Sequence, residues 1–197
     1  MKIIWVATTG SDATGTGRRT APYASINRAL QDFVSGDQVR ILEGTYTPTD
    51  SIVISGLEGS LFAEVKDSVY IQPIKTRIHQ ACLAIVDSPR FQLQGINILQ
   101  AADNSGNLIG IYAENVETFL CYTCSVVGFD IPSGSGHGIF ASGALGRIEN
   151  CKVADIACAG DDLFGIRSFG MDVVDCTVIE LSGAGDCNVT PIAAADS

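Results

Sequence analysis

Apolar and polar residues alternate over short stretches along most of the chain, and turn-forming Gly, Asn, Asp and Ser residues separate these stretches. One early segment differs, because its apolar residues follow the spacing i, i+3, i+4 and i+7 at Ile26, Ala29, Leu30 and Phe33. That spacing places them on one face of an amphipathic helix of roughly three turns. From Val39 to about residue 181 the pattern predicts short β-strands and no further helix.

Three segments of the strand region repeat one pattern, in which a Gly-Ile pair precedes a cysteine that opens a short apolar run. The pairs begin at Gly110, Gly138 and Gly165, and the cysteines that follow are Cys124, Cys151 and Cys176. A period of about 25–30 residues with three short strands is typical of one coil of a parallel β-helix. Each coil leaves its strand edges unsatisfied until a neighbour stacks on it. The repetition therefore predicts a stack of coils with an internal ladder of cysteines.

The composition agrees with a folded all-β chain and limits its partners. Apolar residues make up 46% of the 197 residues, charged residues make up 17%, and there are 21 glycines. The formal charge of −10 disfavours binding to nucleic acid or to an anionic membrane, whereas a basic protein or a divalent cation remains open. No segment reaches the ~18 apolar residues of a membrane span. The apolar run at Ile3–Ala7 is shorter than the ~7–15 residues of a secretory signal, so no signal peptide is predicted.

The first 50 residues resemble the start of many pectin-lyase-like β-helix proteins. The matching pieces are Gly10-Ser11-Asp12, Pro22–Ile26, Ala29-Leu30, Gly36-Asp37, Val39–Leu42 and Gly44-Thr45-Tyr46. The resemblance implies an all-β fold, a short single-stranded right-handed parallel β-helix (solenoid) with an N-terminal capping α-helix. It divides a single domain into 1–50 (strand, loop and capping helix), 51–181 (coils) and 182–197 (C-terminal tail or arm). The superfamily includes polysaccharide lyases, glycoside hydrolases, phage tailspikes and non-enzymatic virion proteins, so the resemblance leaves function open.

Cysteine is the first candidate for chemistry. Cys121 and Cys124 have the Cys-x-x-Cys spacing of zinc and redox sites. No second closely spaced Cys/His pair follows, and His79 and His137 are far apart in the sequence. Packing of reduced thiols is therefore favoured, and neither a metal nor a cofactor is predicted.

A second candidate is the Gly-His-Gly at 136–138 together with Asp161, Asp162 and Arg167. It resembles the motifs of polygalacturonase-like enzymes in this superfamily, in which two carboxylates act as acid and base. In those enzymes the Asp pair precedes the Gly-His-Gly, whereas here the order is reversed. Asp161, Asp162, His137 and Arg167 are thus catalytic candidates only if the protein is an enzyme. The favoured interpretation is a turn histidine and a solvated loop.

Two other site types draw on dispersed residues. A lyase needs a calcium-binding carboxylate cluster beside an Arg or Lys base. Its candidates are Asp155, Asp161, Asp162, Asp172 and Asp175 with Arg147 or Arg167. A sugar-binding platform would use aromatic rings, and the candidates are Tyr112, Phe119, Tyr122, Phe129, Phe140, Phe164 and Phe169. Spacing alone brings neither set to one face.

Size favours a non-enzymatic role, because a stack of five or six coils at ~4.8 Å per coil is under ~30 Å tall. Short β-helices also gain buried surface by trimerising. The sequence-based hypothesis is a phage virion structural protein, a trimeric capsid decoration (cement) protein that stabilises the head. It would be made in the host cytoplasm, with itself and the major capsid protein as partners. The alternatives are a tailspike or tail-fibre protein, a polysaccharide lyase or glycoside hydrolase acting on a host glycan, and an intracellular binding module.

Overall fold

The computed structural model describes residues 1–74, 81–100, 107–184 and 187–195. In this part of the chain there is one short helix, α1 (Ile26–Gln31), and the rest of the regular structure is β-strand. The strands are β1 (Ile3–Val6), β2 (Asp37–Ile41), β3 (Gly44–Tyr46), β4 (Ile52–Ser55), β5 (Gly59–Ala63), β6 (Val69–Ile71), β7 (Ala81–Val86), β8 (Arg90–Gln94), β9 (Ile96–Leu99), β10 (Leu108–Tyr122), β11 (Ser125–Ile131), β12 (Gly136–Glu149), β13 (Lys152–Cys158), β14 (Asp162–Phe169), β15 (Asp172–Val174), β16 (Thr177–Gly183) and β17 (Asn188–Ala195).

The strands form a parallel β-helix of about five turns, which confirms the predicted fold class. A six-stranded sheet runs in the order β16-β13-β11-β9-β6-β3, and a larger sheet holds the other strands. The long strands β10 and β12 each cross two faces of the coil, with an irregularity between Glu114 and Val116 where β10 turns the corner. Every pairing between the named strands is parallel, so residues one coil apart lie side by side. The apolar core fills the inside of the coils.

The repeated glycines lie where a side chain would not fit. A Cβ on Gly138 would lie 2.5 Å from a methyl of Val153 and 2.6 Å from the carbonyl oxygen of Gly165. The same contacts recur one coil to either side, between Gly110 and Val126 and between Gly165 and Val178. In each coil, then, the glycine packs against the valine that lies two residues beyond the repeated cysteine. The repeat thus reflects a close contact between two walls of the same coil.

The predicted cysteine ladder is present in the interior. The backbone N–H of Lys152 donates to the Cys124 carbonyl at 2.9 Å, and that of Thr177 donates to the Cys151 carbonyl at 2.9 Å, which places Cys124, Cys151 and Cys176 on successive coils. Cys121 joins the ladder, with its Sγ 3.7 Å from Cys151 Sγ. These cysteines are free thiols, and all but the half-buried Cys176 are buried.

The helix is shorter than predicted, with six residues in place of roughly three turns. Ser25 caps its N-terminus by accepting a hydrogen bond from the Arg28 N–H at 3.1 Å. The helix ends before Asp32. Phe33 is buried, but it follows the helix and does not lie on its apolar face. Ile26 and Ala29 are buried in the core. That α1 closes the open end of the stack remains a prediction.

Part of the segment assigned to the tail forms a strand that the sequence pattern did not indicate. Residues Asn188–Ala195 make up β17, which pairs with β14 in register over Asp162–Phe169. Pro191 and a run of alanines at 193–195 give this strand weak β-propensity. Its pairing with β14 therefore comes from tertiary structure.

Candidate functional site

The outer side of β10, β12 and β14 carries most of the candidate residues. Parallel register places three outward-facing residues in each of two rows that run along the stack. One row is Ile109, His137 and Phe164, and the next is Tyr112, Phe140 and Arg167. A third row runs from Glu114 through Ser142 to Phe169. We call this surface the aromatic face.

The rings of the aromatic face contact one another across the coils. Tyr112 and Phe140 stack with centroids 5.1 Å apart and an interplanar angle of 14°. His137 stacks on Phe164 at 5.1 Å and 5°, and it meets the edge of Phe140 at 5.7 Å and 76°. Phe140 also lies 6.1 Å from Phe169 in a tilted arrangement. The face is thus a continuous aromatic surface three coils wide.

Arg167 lies in this surface between two rings. Its guanidinium carbon is 4.6 Å from the centroid of Phe164 and 5.3 Å from that of Phe169. No described residue forms an ion pair or a side-chain hydrogen bond with it. Cation–π contact leaves the five N–H donors of a guanidinium available to a ligand. The face therefore presents one uncompensated cation on a protein of net charge −10.

His137 is held neutral at physiological pH. Burial, reinforced by the positive charge of Arg167 and opposed by the negative charge of Asp162, lowers the pKa of His137 to about 4. Its Nδ1 is buried and has no hydrogen-bond partner within the described residues. The interpretation as a turn histidine is wrong, because His137 is the second residue of β12 and its ring belongs to the stack. The glycines on either side of it lie in close contacts inside the coil, because a Cβ at Gly136 would strike an Ile131 methyl and one at Gly138 would lie 2.5 Å from a Val153 methyl.

Asp162 is the carboxylate that the fold brings beside this histidine. It begins β14, two residues before Phe164, and its Oδ1 accepts a hydrogen bond from the Asn188 amide at 3.2 Å. Asp161 lies in the preceding turn, where its N–H donates to the Gly134 carbonyl at 2.9 Å. The reversed order of the motif in the sequence thus does not prevent His137, Asp162 and Arg167 from sharing one face.

At the aromatic face's other end, Tyr112 is almost buried, with 8% of its surface exposed. Burial, together with a hydrogen bond to Glu114, raises the pKa of Tyr112. Ala81 and Ala84 of β7 lie beyond it in the same rows and are fully buried. The face thus continues into a small apolar cluster outside the main core.

The other carboxylates that a lyase-type calcium site would have to use are spread over different parts of the coil. Asp155 lies beside Glu180, and the hydrogen bond between them raises the pKa of Glu180. Asp172 lies beside Arg147, whose Nε is 2.9 Å from a carboxylate oxygen of Glu149. In the part of the chain that the structure describes, no group of three or more His, Cys, Asp or Glu residues has a geometry suited to a metal ion.

The aromatic candidates divide between surface and core. Tyr112, Phe140, Phe164 and Phe169 belong to the aromatic face, whereas Phe119 and Phe129 are buried in the core, so their assignment to a sugar platform is wrong. Tyr122 lies on another side of the coil, in register with Gln94 and Glu149. The sequence pattern does not separate the two groups, because the corners of each coil interrupt the simple in–out alternation along the strands.

The described helix is too short to cross a membrane.

Comparison with known proteins supports the fold. No family model matches the chain, and no curated protein does. A solved rhamnogalacturonan lyase is similar at 12% identity with a TM-score of 0.53, over 94% of this chain and 63% of the lyase. A mutant of the PL6 family alginate lyase AlyGC is similar at 12% identity with a TM-score of 0.51, over 100% of this chain and 37% of that enzyme. The chain has the pectin-lyase-like parallel β-helix fold and spans less than two thirds of the length of these neighbours.

Proposed function

We propose that this β-helix protein binds an acidic glycan on its aromatic face, without cleaving it. The observation that carries the proposal is Arg167, held between Phe164 and Phe169 with no acidic partner among the described residues. Both structural neighbours are named as lyases of polysaccharides, which supports a glycan as the ligand class.

The chemistry of the face suits an acidic sugar. Aromatic rings offer flat apolar surfaces on which the C–H faces of sugar rings stack, and a guanidinium binds a carboxylate through two parallel hydrogen bonds. The neutral His137 ring stacks on Phe164 and adds flat ring surface to the face, while Arg167 supplies its positive charge. A sugar chain that lies along the stack would meet the side chains of a new coil every ~4.8 Å.

Binding is favoured over cleavage because hydrolysis requires two carboxylates that flank one glycosidic bond. Asp162 is engaged with Asn188, and the backbone of Asp161 is tied into the turn at Gly134. Cleavage by these two residues remains the alternative, and release of shortened oligosaccharides during the binding experiment would reveal it.

Replacing Arg167 by alanine should weaken binding of oligogalacturonate or oligoalginate by roughly 10- to 150-fold, the loss expected for a hydrogen bond to a charged group. Isothermal titration calorimetry measures this change, and a neutral oligosaccharide of equal length should bind the native protein weakly. Arg19→Ala is the matched control, because Arg19 lies 5.0 Å from the Trp5 ring and makes a similar cation–π contact elsewhere. Equal affinity of the native protein and Arg167→Ala would rule the proposal out.

A second candidate function is the trimeric capsid decoration protein. Apolar side chains exposed on the last coil support it, because exposed apolar surface favours a protein partner. These residues are Ile179, Val189 and Ile192, on β16 and β17. We expect a trimer by multi-angle light scattering and, in purified particles, a copy number near that of the major capsid protein by quantitative mass spectrometry. A monomer at all concentrations, absent from particles, would contradict this candidate.

A further inference from the structure

A groove on the outer side of the six-stranded sheet lies apart from the aromatic face. Its volume is about 450 Å³, and its polar lining includes Lys66, Tyr70, Asn97, Thr123, Ser125 and Lys152. Four of these residues form a single row by register, from Tyr70 on β6 through Asn97 and Ser125 to Lys152 on β13. The row spans three coil spacings, roughly 14 Å. We call it the lysine groove.

The groove is lined by two lysines and one aspartate, Asp67, on a protein that is acidic overall. The chain has four lysines, at positions 2, 66, 75 and 152, and two of them line this groove. Lys66 has one acidic neighbour, Asp67 at 3.8 Å, and both side chains are largely exposed, so this pair is weak. Lys152 makes no ion pair within 4 Å of any described carboxylate, and its charge acts at longer range on Glu180, where it opposes the rise in pKa that Asp155 causes.

The floor of the groove is already ordered. Asn97 is buried, and its amide donates to the Val69 carbonyl at 2.9 Å. Ser125 donates its hydroxyl proton to Asn97 Oδ1 at 2.6 Å, which leaves the Ser125 oxygen as an acceptor for a ligand hydroxyl. Tyr70 closes one end, and its hydroxyl donates to the Asp67 carbonyl at 3.1 Å. A ligand would therefore meet a prepared polar surface with one aromatic ring.

Backbone strain lies in the same groove. Thr123 has φ of 52°, in the turn between β10 and β11. Equivalent turns in neighbouring coils use Gly95, Asn150 and Asp175, which tolerate this conformation. A β-branched residue there costs about 1–3 kcal/mol, and such strain tends to collect at ligand-binding sites. Thr123 thus lines the groove in a backbone conformation that a β-branched residue disfavours.

We propose that the lysine groove binds a sugar that carries phosphate or sulfate esters at two positions. Lysine binds phosphate and sulfate groups as a compact point charge, and two lysines in one groove would contact two such groups on the same sugar. The two lysines flank the polar floor, where hydroxyl and amide groups face the sugar hydroxyls. This inference is independent of the glycan proposed for the aromatic face.

The test uses two probes, fructose 1,6-bisphosphate and a sulfated heparin-derived disaccharide, titrated calorimetrically into the full chain. At least one probe should bind, and Lys66→Gln combined with Lys152→Gln should weaken that binding at least tenfold. The stronger probe identifies the ester. Lys2→Gln is the matched control for charge, and Arg167→Ala should also leave the affinity unchanged, which separates this site from the aromatic face.

Thr123→Gly distinguishes a role of Thr123 in ligand binding from a role in stability, because the two roles predict different changes in probe affinity and melting temperature. Glycine accepts the left-handed backbone freely and relieves the strain, so the variant should keep or raise its melting temperature while its probe affinity falls several-fold. Binding of neither probe, or unchanged binding in the double lysine variant, would overturn the proposal. Inorganic sulfate that binds as tightly as the probes would mean an adventitious ion only, and would overturn it too.

Discussion

Replacing Phe119 by alanine is expected to lower the free energy of unfolding by about 3–5 kcal/mol. Its side chain has no exposed surface and lies inside the coil, beside Phe91 of the preceding coil. On the other side its register partner is Gly146, whose missing side chain leaves room that Met171 partly fills. Because hydrogen-bonded coils keep a fixed spacing, the walls cannot collapse into the cavity, and the cost should lie near the upper end of this range.

Equilibrium unfolding in urea measures this loss. Leu145→Ala is the matched control, because Leu145 belongs to the neighbouring strand and is 66% exposed, so its change should stay within about 0.5 kcal/mol. Glycan affinity of Phe119→Ala should be unchanged under conditions in which it stays folded, since the ring takes no part in the aromatic face. A loss of affinity with little loss of stability would mean that Phe119 belongs to the surface after all.

Lowering the pH from 6.5 towards 4 should destabilise the protein through His137. Its pKa is about 4 in the folded state against 6.5 for an unperturbed histidine, so the unfolded chain binds more protons in this interval. Stability therefore falls as pH falls, by up to about 3 kcal/mol once the pH is below the folded pKa. The physical cause is the cost of charging a ring that is packed between Phe164 and Phe140 next to Arg167.

His137→Phe keeps a ring in the stack and removes the titration, so the difference between the two unfolding curves as a function of pH isolates this group. Asp12 and Asp32 have pKa values below their usual 3.8, because hydrogen bonds to their carboxylates outweigh burial, and they lose their contributions at lower pH. Glu180, whose pKa is raised above its usual 4.5, titrates in both proteins and cancels in the difference, so the difference above pH 4.5 should report mainly on His137. Parallel curves for the native protein and His137→Phe between pH 7 and 4.5 would show that the ring is charged without cost.

The proposed functions divide the surface between two sites. The aromatic face combines stacked rings with one arginine, which suits a carboxylate-bearing sugar, and the lysine groove combines a polar floor with two lysines, which suits an ester. The two sites lie on different sheets. Arg167→Ala and the double lysine variant should therefore act on different ligands, and the two proposals can fail separately.

The sequence by itself determined the architecture, because the constraints of stacking act on residues that recur along the chain. Gly138 recurs as Gly110 and Gly165 since a side chain at that position would strike the opposite wall of the coil. Cys124 recurs for the related reason that equivalent residues of successive coils lie side by side in the interior. Such contacts recur once in each coil, so the same residue pattern appears several times in the sequence and can be recognised there.

Only the tertiary structure decided the candidate sites, because each site joins residues of different coils that no sequence period marks. Phe119 and Phe140 are both aromatic residues in strands, yet one lies in the core and the other on the aromatic face. Corners such as the irregularity in β10 shift the in–out alternation of side chains, so the alternation before a corner does not predict which residues face outward after it. The stacking of His137 on Phe164 and the row from Tyr70 to Lys152 arise from pairing register, which is set when the coils close on one another.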